Sequence, residues 1–365
     1  MSNTPRIMGL FEEVEVGGQV LESRVKLDDT LTELTQSADY PFTGVSTFKV
    51  PSFVKPRDFS LGVIVGSSGT GKSTLLNQFG TPKSFDWDTS LAVASQVDPK
   101  YLMRVGLSSI PSLCRPYHIL SEGEKHRALI ARSLSEGVKV IDEFSSVVHR
   151  DLAMSISIGT RKMIDKLDLK EIVIATCHDD VVKWLEPDWV YNTNTRELVE
   201  GRSVRQALQF EIVSCSPKTW TIFKDHHYLS ASINKSARCW VALFNGSPVG
   251  FHSVLPYPSG SMKNAWREHR LCVLPDYQGM GLGVILSEYV AQLHKENEYR
   301  LFAKTAHPAL GYHREKSPQW RATSKNKVSR SDYLKKADEG GDRKLSERHL
   351  RAHSNRVCFS HEYIG

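Results

Sequence analysis

Three patterns are missing from this sequence, and each absence closes off a class of protein. Its six cysteines (Cys114, Cys177, Cys215, Cys239, Cys272 and Cys358) lie far apart, with no CxxC pair and no Cys/His cluster. That argues against a disulfide framework and a zinc site, so reduced thiols and no structural metal are the expectation. No apolar run approaches the roughly 20 residues of a membrane span. The opening MSNTPRIMGLFEEVEVGG lacks the basic-then-apolar layout of a secretion signal. A cytoplasmic protein with no membrane part is the expectation from these two readings. Internal repeats and long low-complexity tracts are absent as well.

What is present is ordinary in amount and uneven in placement. A chain of 365 residues, 40% hydrophobic and 24% charged, is long enough for two domains with separate cores. The formal net charge is +6. Between Arg314 and Arg356 thirteen Lys/Arg stand against six Asp/Glu, which leaves the rest close to neutral. Such a stretch is either a solvated face or a surface for polyanions.

Leu61–Val65 (LGVIV) is a short β-branched run of the kind that fills a buried parallel strand. It leads into Gly66, Ser67, Ser68, Gly69, Thr70, Gly71, Lys72, Ser73 and Thr74, followed by the helical pattern STLLNQF. Glycines there let main-chain N–H groups curl toward phosphate oxygens at a helix N-terminus. Lys72 supplies a point charge to the β- and γ-phosphates of ATP, and the Ser73 hydroxyl can coordinate Mg²⁺. Farther on, Val138–Ile141 reads as a strand ending in Asp142 and Glu143. Asp142 suits the Mg²⁺ shell, and Glu143 is placed to polarise an attacking water. Ile172–Ala175 is another buried-type strand, running into Thr176-Cys177-His178.

Between these strands, His118-Ile-Leu-Ser121-Glu-Gly123-Glu124-Lys-His-Arg resembles the signature segment LSGGQ of the ABC ATPases, with Glu122 and Glu124 in place of a glycine and the glutamine. Ser121 and the Gly123 amide would open a helix there, a second anion-binding terminus. The resemblance implies an ATP-bound sandwich homodimer in which this helix faces the γ-phosphate held by the other protomer. It also implies that His178 contacts the γ-phosphate and that Gln96, in LAVASQVDP, senses Mg²⁺ and water. The stretch between Lys72 and Ser121 is short beside transporter cassettes, which use it to dock membrane helices. That argues against transport.

Composition turns polar over Asn192–Arg205, read as a linker, and a different pattern follows. Phe210–Val213 reads as a strand and Trp220–Leu229 as a helix; Cys239–Phe244 and Pro248–Leu255 read as a hairpin across Asn245-Gly246-Ser247. Arg270–Pro275 is a strand running into Asp276-Tyr-Gln278-Gly279-Met280-Gly281-Leu282-Gly283 and a helical VILSEYVAQLHKEN. Bare amides at that helix start can hold a pyrophosphate. The element resembles motif A of the GNAT N-acyltransferases, Q/R-x-x-G-x-G/A, which implies acetyl-CoA or another acyl-CoA on Val273 and Gln278–Gly283. The architecture expected is α/β throughout: an N-terminal P-loop ABC-type ATPase domain over 1–200, then a GNAT-like mixed α/β acyltransferase domain over 206–365.

His226-His227-Tyr228, His269-Arg270, LPDYQGMGLG, His307-Pro308, Ser317-Pro-Gln-Trp320 and the terminal FSHEYIG together resemble the phage Mom proteins and relatives in which an ABC-type ATPase is fused to such a domain, including EPDWVY. That resemblance implies a phage or prophage protein that modifies adenine N6 in DNA. Adenine N6 is a weak nucleophile because its lone pair is delocalised, so an enzyme must position it and manage its proton. His226 and His227 are the first nominees for that proton, then Asp276 and Tyr312. The basic C-terminal stretch would contact phosphates, with Tyr312, Trp320 and Tyr333 as aromatics for stacking. Alternatives are an RNA or protein N-acetyltransferase with the same ATPase module, and an ABC-type DNA-binding clamp whose GNAT-like domain is not catalytic.

Overall fold

A computed structural model of the chain describes residues 13–202, 204, 207–227, 232–258, 262–329 and 357–365. The chain divides into two compact units, Met1–Val105 with Cys114–Gln206, and Gly106–Leu113 with Ala207–Gly365. No described helix is long and apolar enough to cross a membrane.

The first unit is organised on a five-stranded sheet in the order Val140–Ile141, Ile172–Thr176, Leu61–Val65, Trp189–Asn192, Glu197–Glu200. The first four run parallel and the last returns antiparallel. Leu61–Val65 is buried along its whole length. Gly62 interrupts its β-branched run because a Cβ there would lie 2.0 Å from the Trp189 ring. Trp189 packs with Phe53, Phe59, Ile64, Leu75 and Leu76 in one core, where each large apolar side chain contributes roughly 1.5–3 kcal/mol. Asp188 Oδ2 accepts the Ser60 and Leu61 amides at 2.7 and 2.9 Å. The segment EPDWVY is thus a clamp on the central strand followed by a core anchor.

Two helices pack beside this sheet system. Glu122–Ser135 starts at Ser121 with a complete capping box: Ser121 accepts the Glu124 amide, and the Glu124 carboxylate accepts the Ser121 amide at 2.9 Å. Arg150–Leu167 buries residues through most of its length and stops at Asp168, in the left-handed region at φ 50°. Two expectations for this half change. The helix after the glycine loop covers only Lys72–Leu76. Asn192–Arg205 is not a linker for most of its length, because Trp189–Asn192 and Glu197–Glu200 form a hairpin. Its polarity reflects the turn, where the Asn192 side chain accepts the Asn194 and Thr195 amides and Arg196 sits at φ 62°.

The second unit is a larger sheet in the order Glu211–Cys215, Arg238–Phe244, Ser247–Pro256, Ala265–Val273, Arg300–Thr305, Val357–Tyr363, Trp320–Ala322. Arg238–Phe244 and Ser247–Pro256 form the hairpin expected, with Asn245 and Gly246 at φ 49° and 78°, the combination a two-residue type I′ turn needs. Every pairing on this path is antiparallel except that of Ala265–Val273 with Arg300–Thr305. That parallel pair requires a crossover, supplied by the helix Leu282–Glu296. Its pairing runs only to Arg267↔Phe302, so the two strands part beyond Arg267. The described part of Trp220–Leu229 is not an α-helix: Pro217–Ile222 and Lys224–His226 are 3₁₀ turns. Trp220 and Phe223, three apart, match the 3₁₀ period and both pack on Phe251.

Candidate functional site

The glycine loop leaves the sheet where the parallel strands share a register. Val65 pairs with Thr176, and Ile141 with Ile174. Gly66, Asp142 and His178 therefore leave the sheet along the same carboxyl edge, where open parallel sheets bind ligands. Gly66 is obligatory: a Cβ there would meet Thr193 Oγ1 at 2.0 Å. Thr193 also bonds Thr70 Oγ1 at 2.6 Å and the Val65 carbonyl at 3.1 Å. Asn194 Oδ1 accepts the Ser67 amide at 3.3 Å. Ser67, Ser68 and Gly69 form an exposed rim, with nothing within 4 Å of a Cβ built at Gly69. Gly71 at φ 89° caps Lys72–Leu76 with no side-chain bond, so the first-turn amides have no intrahelical acceptor. Lys72 Nζ donates to the Ser67 carbonyl at 2.6 Å, across the loop. The Ser73 hydroxyl is exposed beside it, and Thr74 is half-buried.

Glu143 sits in the left-handed region at φ 48°, and Asp142 Oδ1 accepts its amide at 2.9 Å. The reversal exposes the Glu143 carboxylate while Asp142 stays half-buried. His178 Nδ1 is tied to the Ser145 hydroxyl at 2.8 Å, and that hydroxyl is tied to Thr176 at 2.8 Å. This turns Nε2 away from the contact and fixes the ring. Among the described residues no group of three or more His, Cys, Asp or Glu could hold a metal. Asp142 and Ser73 suit Mg²⁺, which takes few protein ligands and completes its shell with phosphates and water. Ser121 and Gly123 stand at the head of their own helix, where a Gly123 Cβ would be 2.3 Å from Leu152 Cδ2. Gln96 is held in a local network. It ends the one-turn helix Val93–Gln96, and its amide is engaged with Asp88 and Leu91 main-chain groups at 2.9–3.1 Å, as a loop brace. Sequence reasoning alone misses Thr193, Asn194 and Phe48, whose ring lies 3.0 Å from a Cβ built on Gly71.

In the second unit Ala265–Val273 delivers the chain through the 3₁₀ turn Pro275–Tyr277, which holds Asp276, into Gln278–Gly283. Gln278 Nε2 donates to the Val273 carbonyl at 3.0 Å, and its Oε1 accepts from Ser108 at 2.8 Å. Gly279 and Gly281 have φ 89° and 93°, while Met280 and Leu282 are buried and anchor the turn. Gly281 caps Leu282–Glu296 without a side-chain bond. Gly283 is different, since a Cβ there would meet only Val273 Cγ2, at 3.6 Å.

His227 and His269 face one electrostatic environment. Burial, then Arg270 and His269, bring His227 down to about 4. Burial, then Arg270 and Arg267, bring His269 down to about 4. His269 lies where the register slips, Ser253 facing Arg270 and Val254 facing Glu268, and its Nε2 accepts the Asn234 amide at 3.3 Å. His226 is exposed on a 3₁₀ turn. Tyr312 is exposed on Pro308–Lys316 with its ring edge to Phe359. His307 caps that helix and donates to the Ser108 carbonyl at 3.0 Å.

Two nominees for nucleic-acid contact point inward. Trp320 is buried under the Arg314 guanidinium at 4.4 Å. Arg314 is itself buried on Glu268 at 2.6 Å. Burial works to raise the Glu268 carboxyl, but Arg314 and the His252 bond hold it far below the usual carboxylate range. A cation with a buried partner is structural, which removes both from the stacking and phosphate-binding roles. Tyr228, Tyr333 and residues 330–356 of the basic stretch lie outside the described residues.

Residues 205–316 match the Acetyltransferase (GNAT) family. The match makes the second unit an acyltransferase-class domain and the chain an enzyme. Among curated proteins a sequence search finds no match. Solved structures similar to the chain include a dimeric bacterial ABC transporter cassette, 14% identical over 44% of this chain and 94% of that one, TM-score 0.34. The ribosomal-protein-S18-alanine N-acetyltransferase from Escherichia coli is 14% identical over 42% of this chain and 93% of its own, TM-score 0.30. A GNAT acetyltransferase from Elizabethkingia anophelis with acetyl-CoA bound is 14% identical over 43% and 98%, TM-score 0.30. The fold is mixed α/β: a unit built on a mostly parallel sheet with a glycine loop at its carboxyl edge, followed by a unit that carries the GNAT family match.

Proposed function

We propose that the chain hydrolyses ATP in its first unit and, in its second, transfers an acyl group from acyl-CoA to a nucleobase amine, adenine N6 in DNA. The observation that carries this is a repeated one: each unit holds a strand, a glycine loop and a helix capped by a left-handed glycine, Gly71 and Gly281. Main-chain amides at such termini fit a diphosphate.

In the first unit Lys72 and the loop amides would hold ATP phosphates, with Ser73 and Asp142 on Mg²⁺. Glu143 orients and polarises water, and His178, braced by Ser145, aims Nε2 at the developing charge. An ATP-dependent homodimer through Ser121 and Gly123 is part of this reading. In the second unit Val273 and Gln278–Gly283 would hold the CoA pyrophosphate, and acyl-CoA supplies an activated thioester. One of His227 and His269, both neutral near pH 7 because burial and the neighbouring arginines depress them, takes the amine proton as the new C–N bond forms and the thioester C–S bond breaks; the departing CoA thiolate then takes that proton, which returns the imidazole to its neutral form. Tyr312 is the exposed aromatic for a base drawn out of the stack. Asp276 stays a lesser nominee.

The buried positions of Trp320 and Arg314 remove one stacking and one phosphate-contact nominee, which weighs against DNA and RNA alike and favours a protein amine among the alternative acceptors. Labelled acetyl-CoA offered to DNA, tRNA and protein fractions separates these, together with nucleoside mass spectrometry on DNA from cells making the protein. Modified deoxyadenosine is the expected result. Unaltered nucleosides with label entering another fraction would overturn the DNA assignment.

A further inference from the structure

Glu143 holds a backbone conformation that a residue with a side chain rarely adopts, at φ 48°. A strained turn persists only when its surroundings fix it. Phe144, the next residue, supplies that fixing. Its ring is fully buried, and its amide donates to the Ala175 carbonyl at 3.1 Å. Its carbonyl accepts from His126 Nε2 at 2.5 Å. A carbonyl only accepts, so Nε2 of His126 carries the proton. Ser145 then ties the turn to Thr176 and His178. The turn is gripped by strand Ile172–Thr176 from one side and by helix Glu122–Ser135 from the other, and His126 makes the hydrogen bond on the helix side. Its ring is buried and meets the Phe144 ring edge-on, centroids 6.1 Å apart.

We infer that His126 is a positioning residue for the Glu143 carboxylate, acting through the Phe144 carbonyl from the helix that begins at Ser121. The inference rests on the ATPase reading and deepens it. One rigid helix carries Ser121 and Gly123 at its head and His126 in its second turn. A displacement of the helix at an anion bound to its head is therefore delivered to the turn that aims Glu143. Misplacing a general base by about 1 Å can reduce a rate by on the order of 100-fold.

The test is steady-state ATP turnover by the full chain, with thermal unfolding of each variant. His126→Phe keeps a ring and removes the donor; it is expected to lower kcat about tenfold or more with KM unchanged within about twofold. His126→Gln retains an N–H donor of comparable reach and is expected to recover most of that loss. His126→Asn is too short to reach and should not. Should His126→Phe fail to fold, the Gln and Asn pair decides: a higher kcat for Gln supports the role, and equal values overturn it. Wild-type kcat in His126→Phe overturns it too, as does a rise in KM that accounts for the whole loss. Glu143→Gln is the control. If the wild-type chain turns over no ATP, the ATPase reading falls and takes this inference with it. If the wild type is active, Glu143→Gln is inactive and His126→Phe is normal, only the inference falls.

Discussion

The glycine loops of the two units end on nearly the same backbone conformation, Gly71 at φ 89°, ψ 13° and Gly281 at φ 93°, ψ 6°. Each caps a helix without help from a side chain. The residues just after the cap differ. In the first unit they are Lys72-Ser73, a cation and a hydroxyl, with Asp142 and Glu143 leaving the same sheet edge. In the second they are Leu282-Gly283, with no charge. Main-chain amides suffice to hold a diphosphate that does not react, whereas cleaving a terminal phosphate needs added charge, a metal site and a positioned water. In the second unit the two histidines stand off the loop, His269 on the parting strand and His227 on the 3₁₀ segment, and only Asp276 sits at its entry.

The sharpest way to break this comparison is to remove the charge. Lys72→Ala should lower ATP turnover about 100-fold or more while CoA binding, read by calorimetry, is unchanged; wild-type turnover in this variant would refute the role of the loop. The reciprocal change is Gly281→Val, which forces a β-branched residue to φ 93° and puts a side chain over the amides. A loss of CoA affinity of about tenfold or more is expected, with ATP turnover retained. Gly283→Ala sharpens the point, because a methyl there meets only ordinary contact. Its thermal midpoint should match wild type, and any loss must then come from the ligand.

The pH dependence is the smallest effect. His227 and His269 sit near 4 when folded, against about 6.5 unfolded. Their folded pKa is depressed, so below about 6.5 the unfolded chain takes up protons that the folded chain refuses. Stability from these residues is full above that value and declines as pH falls from about 6.5 toward 4. The neutral, proton-accepting form persists to about pH 4 as well. The kcat/KM profile for acyl transfer should therefore show no limb near 6.5 from these groups. A limb there, abolished by His269→Ala, would show that His269 titrates as an ordinary imidazole.

Much of the glycine-loop edge of the first sheet could be read from the sequence because it is written in local chemistry. A buried β-branched strand, glycines at forced left-handed positions and paired carboxylates after a strand each have one economical explanation. The Asn245-Gly246 turn was legible for the same reason. Gln96 was not, because only the fold shows that residues 88–91 consume its amide. Trp220–Leu229 has helical apolar spacing, yet Trp220 and Phe223 meet Phe251 at a 3₁₀ interval after Pro217. Trp320 and Arg314 looked like surface features until Glu268, 46 residues away from Arg314, was brought under them. His126 and His269 stand in segments singled out from the sequence, but their roles depend on partners 18 and 35 residues off.

The hairpin Trp189–Glu200 bears on how the halves can be separated. Thr193 and Asn194, in its turn, brace Gly66, Ser67 and Thr70 across more than a hundred positions of chain. Arg202, just past it, is bridged to Asp165 and Glu186 at 3.1 and 3.0 Å. Severing the polypeptide within the polar stretch would strip the glycine loop of its back wall. Any split version that keeps the first unit's loop intact has to be cut beyond Arg202.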